Sequence, residues 1–148
     1  MLKRLFTPAL IFMLLLLTGC GDKGETAVTE ESNSPEFAAT KFFYTLYENK
    51  DIKLMSNYST PKLQRIIKSY GSANAVARHL LNMQFDEVVI EIDRGRNLRE
   101  TYGEKATIAL IFRGKFQGNK IADTRTVNLV KRKGKWLVAK IKDDPYAR

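Results

Sequence analysis

This 148-residue chain carries a single thiol and a single imidazole. Cys20 stands directly after Leu17, Thr18 and Gly19, at the end of an apolar run. A lone cysteine leaves no disulfide within the chain. One cysteine and one remote histidine do not make a metal site, which needs three or four converging ligands. His79 lies beside an apolar stripe formed by Val76, Leu80 and Met83, and with Tyr44, Tyr47, Tyr58 and Tyr70 it makes up the groups able to donate or relay a proton. No serine nucleophile elbow, phosphate-cradling glycine loop or metal-ligand cluster is present, so no cofactor is expected.

The elements that position Cys20 lie before it. Lys3 and Arg4 give a positive start, and Leu10 to Leu17 is unbroken apolar sequence, too short for an ordinary spanning helix and shaped like an export signal. Leu17, Thr18, Gly19 and Cys20 resemble the lipobox of bacterial lipoproteins. The resemblance implies a signal peptide over 1–19, diacylglyceryl transfer to the Cys20 sulfur, cleavage before it and acylation of the new amino terminus. At about 0.8 kcal/mol per buried methylene, two or three chains such as palmitate hold a protein stably at a membrane where one does not. Gly21 occupies the position where an Asp favours inner-membrane retention in that family, so the outer membrane, facing the periplasm, is the expected location.

Residues 20–34 read as the lipidated cysteine and a flexible tether, with Gly21, Gly24, Thr26, Thr29, Ser32, Asn33 and Ser34 among acids and almost no large apolar side chain. Residues 35–148 change to aromatic and β-branched composition, enough for a single domain. From Phe37 onward the chain has 22 basic and 11 acidic residues. In an exported protein this charge either serves solubility alone or points to anionic head groups, acidic envelope polymers or an acidic protein, and not to nucleic acid.

Ser34 followed by Pro35 predicts a helix start, and Ala39, Phe42, Phe43, Leu46 and Tyr47 fall on one face of that helix. Asp51 opens a short second helix through Ile52, Leu54 and Met55. Thr60 and Pro61 open a third carrying Leu63, Ile66, Ile67 and Tyr70 to Gly71, and Ser72 opens a fourth with Val76, Leu80 and Met83 inward. After Gln84 the period becomes two. Val88, Ile90 and Ile92 alternate with Glu87, Glu91 and Asp93, which therefore point away from the core. A second strand carries Ala106, Ile108, Leu110 and Phe112 on one face and runs toward Phe116. A third spans about Ile121 to Val130, and a fourth Trp136 to Ile141 beyond a turn at Lys133 and Gly134. Helices followed by an antiparallel meander predict an α+β domain, with N-terminal helices packed on a curved four-stranded sheet.

The aromatic first helix after Ser34, Pro35, Glu36 and the closing strand Gly134, Lys135, Trp136, Leu137, Val138 resemble the nuclear-transport-factor-like cone fold, a cystatin-like arrangement shared by ketosteroid isomerase and many small bacterial lipoproteins. The resemblance covers Pro35 to Ile141. It implies a pocket between sheet and helices, with Tyr44 or Tyr47 where the isomerase places an oxyanion donor. The isomerase also needs a carboxylate base and a second protonated acid, and no acid falls clearly on an inward stripe. An enzyme would use Tyr44 or Tyr47 with His79, whereas a binding domain would have its interior filled by Phe42, Phe43, Leu46 and Trp136.

Two basic groups remain. Arg94, Arg96 and Arg99 crowd the connection around Gly95, and Lys131, Arg132, Lys133 and Lys135 crowd the last hairpin. Solvated loops and sheet-edge protection account for both; docking of anionic head groups or an acidic partner is the sharper alternative. Ala109 and Ile111 make the second strand apolar on both sides, which predicts a cover over its outer face, either a second copy or another envelope protein. The expected role is a lipid-anchored periplasmic binding or accessory domain for an envelope assembly or transport process.

Overall fold

Four start signals open the helical half of the chain, and three of them cap through a side chain. The computed structural model describes residues 33–94 and 100–143; Cys20, Arg96 and Arg99 lie outside these. Helix α1 runs over Pro35–Tyr47, and the Ser34 hydroxyl accepts from the Phe37 N–H at 3.0 Å. Asp51 caps α2 (Ile52–Asn57) by accepting from the N–H groups of Lys53 and Leu54. Helix α3 (Pro61–Tyr70) ends at Gly71, whose φ of 74° supplies the left-handed turn. Thr60 starts α3 without a side-chain cap; its N–H donates instead to the Val138 carbonyl at 2.9 Å. Ser72 caps a single turn, α4 (Ala73–Ala75), which loosens into a π-helical turn over Val76–Leu80 closed by Leu81 N–H on Val76 O at 3.0 Å. That wider turn shifts the inward set from the expected Val76, Leu80 and Met83 to Val76, Ala77, Leu81 and Met83, leaving Leu80 half-buried.

The sheet is antiparallel, in the order β1 (Glu87–Ile92), β3 (Lys105–Phe116), β4 (Asn119–Arg132), β5 (Lys135–Asp143). A further short strand, β2 (Glu100–Tyr102), pairs with the start of β3 through a turn at Gly103 and Glu104. Because β1 and β2 both line one edge of β3, the sheet has the four expected rows, and the first row is made in two pieces. Strand β5 carries a bulge between positions paired with Asn128 and Leu129. Trp136 and Val138 are of even number and Ile141 is odd, so strict alternation would turn Ile141 outward. The bulge resets the alternation, and Ile141 packs on the core opposite Val127.

The core lies between α1 and the concave face of the sheet. Phe42, Phe43, Leu46, Ile108, Leu110, Phe112, Val127, Leu129 and Val138 are all at most 2 % exposed. Helix α1 runs the length of the cone. Its first turn meets the β4–β5 turn, and its last meets Phe85 and the entry to β1. The outer face carries the polar half of each strand. Glu91 pairs with Arg113, and Glu87 lies 3.5 Å from Lys115, so the acids of β1 do point away from the core. A short parallel bridge between Ser59 and Val138 covers the middle of the last strand.

Candidate functional site

An aromatic chain fills the cone and sets what its polar groups can reach. Phe42 meets Phe43 edge-on at 5.0 Å, Phe43 meets Phe112 at 4.8 Å, and Tyr47 meets Phe85 at 5.5 Å. Tyr47 enters this cluster from α1, and its hydroxyl donates to the Met83 carbonyl at 2.7 Å. Burial pushes the phenol well above the ordinary tyrosine range; nearby Arg125 opposes the shift and Asp123 adds to it.

Arg125 and Asp123 come from β4, where they lie opposite Leu110 and Phe112 on the concave face. The Arg125 side chain is 8 % exposed, and its Nη1 is 2.6 Å from Asp123 Oδ1. Its Nη2 donates to the Leu81 carbonyl at 3.3 Å. The turn Leu81–Met83, with Asn82 at a φ of 49°, is therefore held from two sides. Tyr47 ties it to α1, and Arg125 ties it to the sheet. These groups form a latch across the mouth of the cone, with the Tyr47 hydroxyl and Arg125 Nη2 directed at main-chain carbonyls and Arg125 Nη1 at the Asp123 carboxylate.

This inward acid–base pair is what the reading of the sequence missed, having found no acid on an inward stripe. Ile121, Asp123, Arg125, Val127 and Leu129 alternate without a break, so the parity of Val127 and Leu129 alone placed both charged residues inside.

The other proton-bearing candidates are dispersed. Tyr44 is 45 % exposed on the outside of α1, with the Lys41 ammonium 5.2 Å from its ring. His79 is exposed on the π-helical turn. A cavity of about 270 Å³ beside Tyr47, lined also by Lys50, Arg78 and Phe85, includes neither of them. Tyr58 and Tyr70 are half-buried against the core. Among the described residues no group of His, Cys, Asp and Glu is placed to hold a metal.

Wider clefts lie at the two ends. At the end where α1 begins, Asn33, Ser34 and Phe37 face Asn57 and Tyr58 from the end of α2 and Lys133 to Trp136 from the β4–β5 turn, around about 800 Å³. We call this the root end. Phe37 and Tyr58 meet edge-on at 6.5 Å, the Lys131 ammonium sits 5.8 Å from the Trp136 ring, and Lys41 sits 5.6 Å from Phe37. Arg132 and Lys133 are exposed beside it. At the far end, acids and bases are mixed. Glu48, Asp86 and Glu87 share a cleft of about 590 Å³ with Arg113, Lys115 and Lys120. Arg94 is exposed at the end of the first edge strand, and Ile111 is half-buried on the outer face between Glu91 and Thr124.

The latch gives one test of its own. Below pH 10.0 the Tyr47 phenol is protonated in both folded and unfolded chains. Above it the unfolded phenol ionises while the folded one holds its proton, so stability falls by about 1.4 kcal/mol per pH unit from this group. In Tyr47→Phe that alkaline decline is shallower, while neutral-pH stability drops by about 1–3 kcal/mol because Met83 O loses its donor. Urea unfolding at neutral pH and above pH 10.0 separates the two effects.

No protein-family model matches the chain, and no curated protein matches it by sequence. Solved structures do. A SEC-C motif containing protein from Rhodopseudomonas palustris is similar over 78 % of this chain and 83 % of its own, at 16 % identity and a TM-score of 0.56. A protein described as "Rd1NTF2_04 with long sheet" is similar over 75 % of this chain and 100 % of its own, at 15 % identity and a TM-score of 0.53. Helices on one side of a curved antiparallel sheet define an α+β cone domain. The fold is the nuclear-transport-factor-like one.

Proposed function

We propose that this chain is a non-enzymatic, lipid-anchored periplasmic binding domain, held at the envelope through Cys20 and serving an envelope assembly or transport process through a protein partner or small ligand. The observation that carries the reading is how the polar groups of the cone are used. Tyr47 and Arg125 are engaged with the Leu81–Met83 turn, and Tyr44 and His79 face solvent. A pair of groups converging on a reacting atom is what general acid–base catalysis requires. Surfaces suited to recognition lie outside the cone, in the two end clefts and on the outer sheet face around the half-buried Ile111, whose neighbour Ala109 is already buried within the chain. No helix among the described residues is long and apolar enough to cross a membrane; in this reading attachment rests on acyl chains at Cys20, with Gly21 favouring the outer membrane.

The test is affinity capture of the intact protein from gently solubilised envelopes, beside a Cys20→Ala control, with mass spectrometry of Cys20 and of co-purifying proteins. Acyl mass on Cys20 and recovery of one envelope complex, both lost in the control, are the expected results. An unmodified cysteine overturns the anchoring, and an empty capture overturns the accessory role. Pairing of copies through the outer face is tested by light scattering: Ile111→Asp converts dimer to monomer if that face is the cover.

A further inference from the structure

The two end clefts of this domain differ in the charge of their walls. At the far end the cations Arg113, Lys115 and Lys120 share a cleft with Glu48, Asp86 and Glu87. At the root end Lys133 and Lys135 line a cleft with no acidic side chain in its wall, and Lys131 and Arg132 adjoin it on the same hairpin. The floor of the cleft is aromatic, from Phe37, Tyr58 and Trp136. Lysines around tyrosine and tryptophan rings are the side-chain set favoured at the head-group level of a bilayer, where the rings meet acyl–glycerol and the ammonium groups meet phosphate.

Chain geometry says which surface is within reach. Cys20 stands thirteen positions before Asn33, a span of about 20 Å for a flexible coil and at most about 45 Å when extended. Strand β3, with 12 residues, runs about 37 Å toward the far end. Charged surfaces interact over a screening length of about 8 Å at physiological salt. At the ordinary span of such a coil, shorter than the roughly 37 Å to the far end, a domain tethered at Asn33 feels a charged bilayer more through its root end than through its far end.

We propose that the root end is a membrane-facing surface. Lys131, Lys133 and Lys135 contact the phosphates of anionic lipid head groups in the bilayer that holds the anchor, and the cleft of Phe37, Tyr58 and Trp136 seats on the interface. The proposal rests on the anchoring reading and gives the domain a fixed orientation. The root lies against the lipid, while the far cleft and the outer sheet face are presented to the periplasm. Each lysine contributes about fivefold to surface partition.

The test uses the full processed chain in vesicles of phosphatidylcholine, with or without phosphatidylglycerol, containing a lipid with a head-group nitroxide. A fluorophore is placed on Asn57→Cys at the root end or on Asn119→Cys at the far end; both positions are exposed. The expected result is several-fold stronger quenching at position 57 than at 119 when phosphatidylglycerol is present. The difference shrinks in high salt and disappears with Lys133→Glu plus Lys135→Glu, but survives Lys50→Glu plus Lys120→Glu. Equal quenching of the two labels in every lipid, or equal loss with both charge reversals, overturns the proposal, as does an acidic protein that occupies the root end and leaves the label unquenched. Failure of anchoring shows separately: the chain does not float with pure phosphatidylcholine vesicles, and free Cys20 takes up a second dye.

Discussion

Gly114→Ala removes about 3 kcal/mol or more of stability, the largest loss expected from adding a single methyl group to this protein. Gly114 faces inward on β3, opposite Val88 and Ile121, where the chain entering β1 crosses over it. A Cβ there overlaps the Glu87 carbonyl oxygen and comes within 2.8 Å of Phe85 Cδ1. The carbonyl is part of the backbone and cannot swing aside, so β1 has to separate from β3. Gly71→Ala is the comparison. It lies in open space at a φ of 74°, so it meets only the left-handed penalty of about 1 kcal/mol. Guanidinium unfolding of both variants checks the ranking; equal losses would mean that close approach at Gly114 is relieved by local adjustment.

The second large effect is an asymmetry within one ion pair. Asp123→Ala takes the carboxylate from a guanidinium that is 8 % exposed, at a cost of about 3–4 kcal/mol. Arg125→Met keeps an unbranched stem opposite Leu110 and leaves Asp123, 25 % exposed, with access to water. That loss is smaller, about 1–2 kcal/mol, and comes mainly from the Leu81 carbonyl losing its donor. The double variant is more stable than Asp123→Ala alone. A double-mutant cycle on urea midpoints measures the coupling directly; near-additive losses would show that the charges do not act as a pair.

Local signals on the chain carried most of this architecture. Ser34 with Pro35, Asp51 and Ser72 announce helices because side-chain oxygens near a helix start satisfy main-chain N–H groups within three residues. The alternation in Val88, Ile90, Ile92 and in Ala106 through Phe112 announces strands because one face is buried. Thr60 marks its helix for another reason, since its N–H is engaged by the distant Val138 carbonyl. What local pattern did not reveal is what depends on a partner element. Strand β2, of only three residues, gains its ladder from β3. The π-helical turn, which brings Leu81 inward in place of Leu80, has no local signal of its own. The Arg125–Asp123 pair was legible in the parity of β4 but its burial was not, since a buried arginine needs acceptors, here Asp123 and the Thr124 carbonyl beside it and the Leu81 carbonyl that folding brings from the helical half. At the root cleft, the sequence had already singled out the hairpin lysines and, as a proton-bearing group, Tyr58, but neither Phe37 nor the meeting of these residues, which come from elements far apart along the chain.

The bridge between Ser59 and Val138 sets how the molecule comes apart. Thr60 N–H on Val138 O at 2.9 Å and Val138 N–H on Tyr58 O at 2.7 Å fasten the connection between α2 and α3 to the last strand. With α1 also packed on that strand through the core, neither the helical half nor the sheet can open by itself without breaking long-range hydrogen bonds in the other. The slowest-exchanging amides of the helical connection and of β5 therefore belong to one cooperative unit, and their protection reports global unfolding and not local fraying.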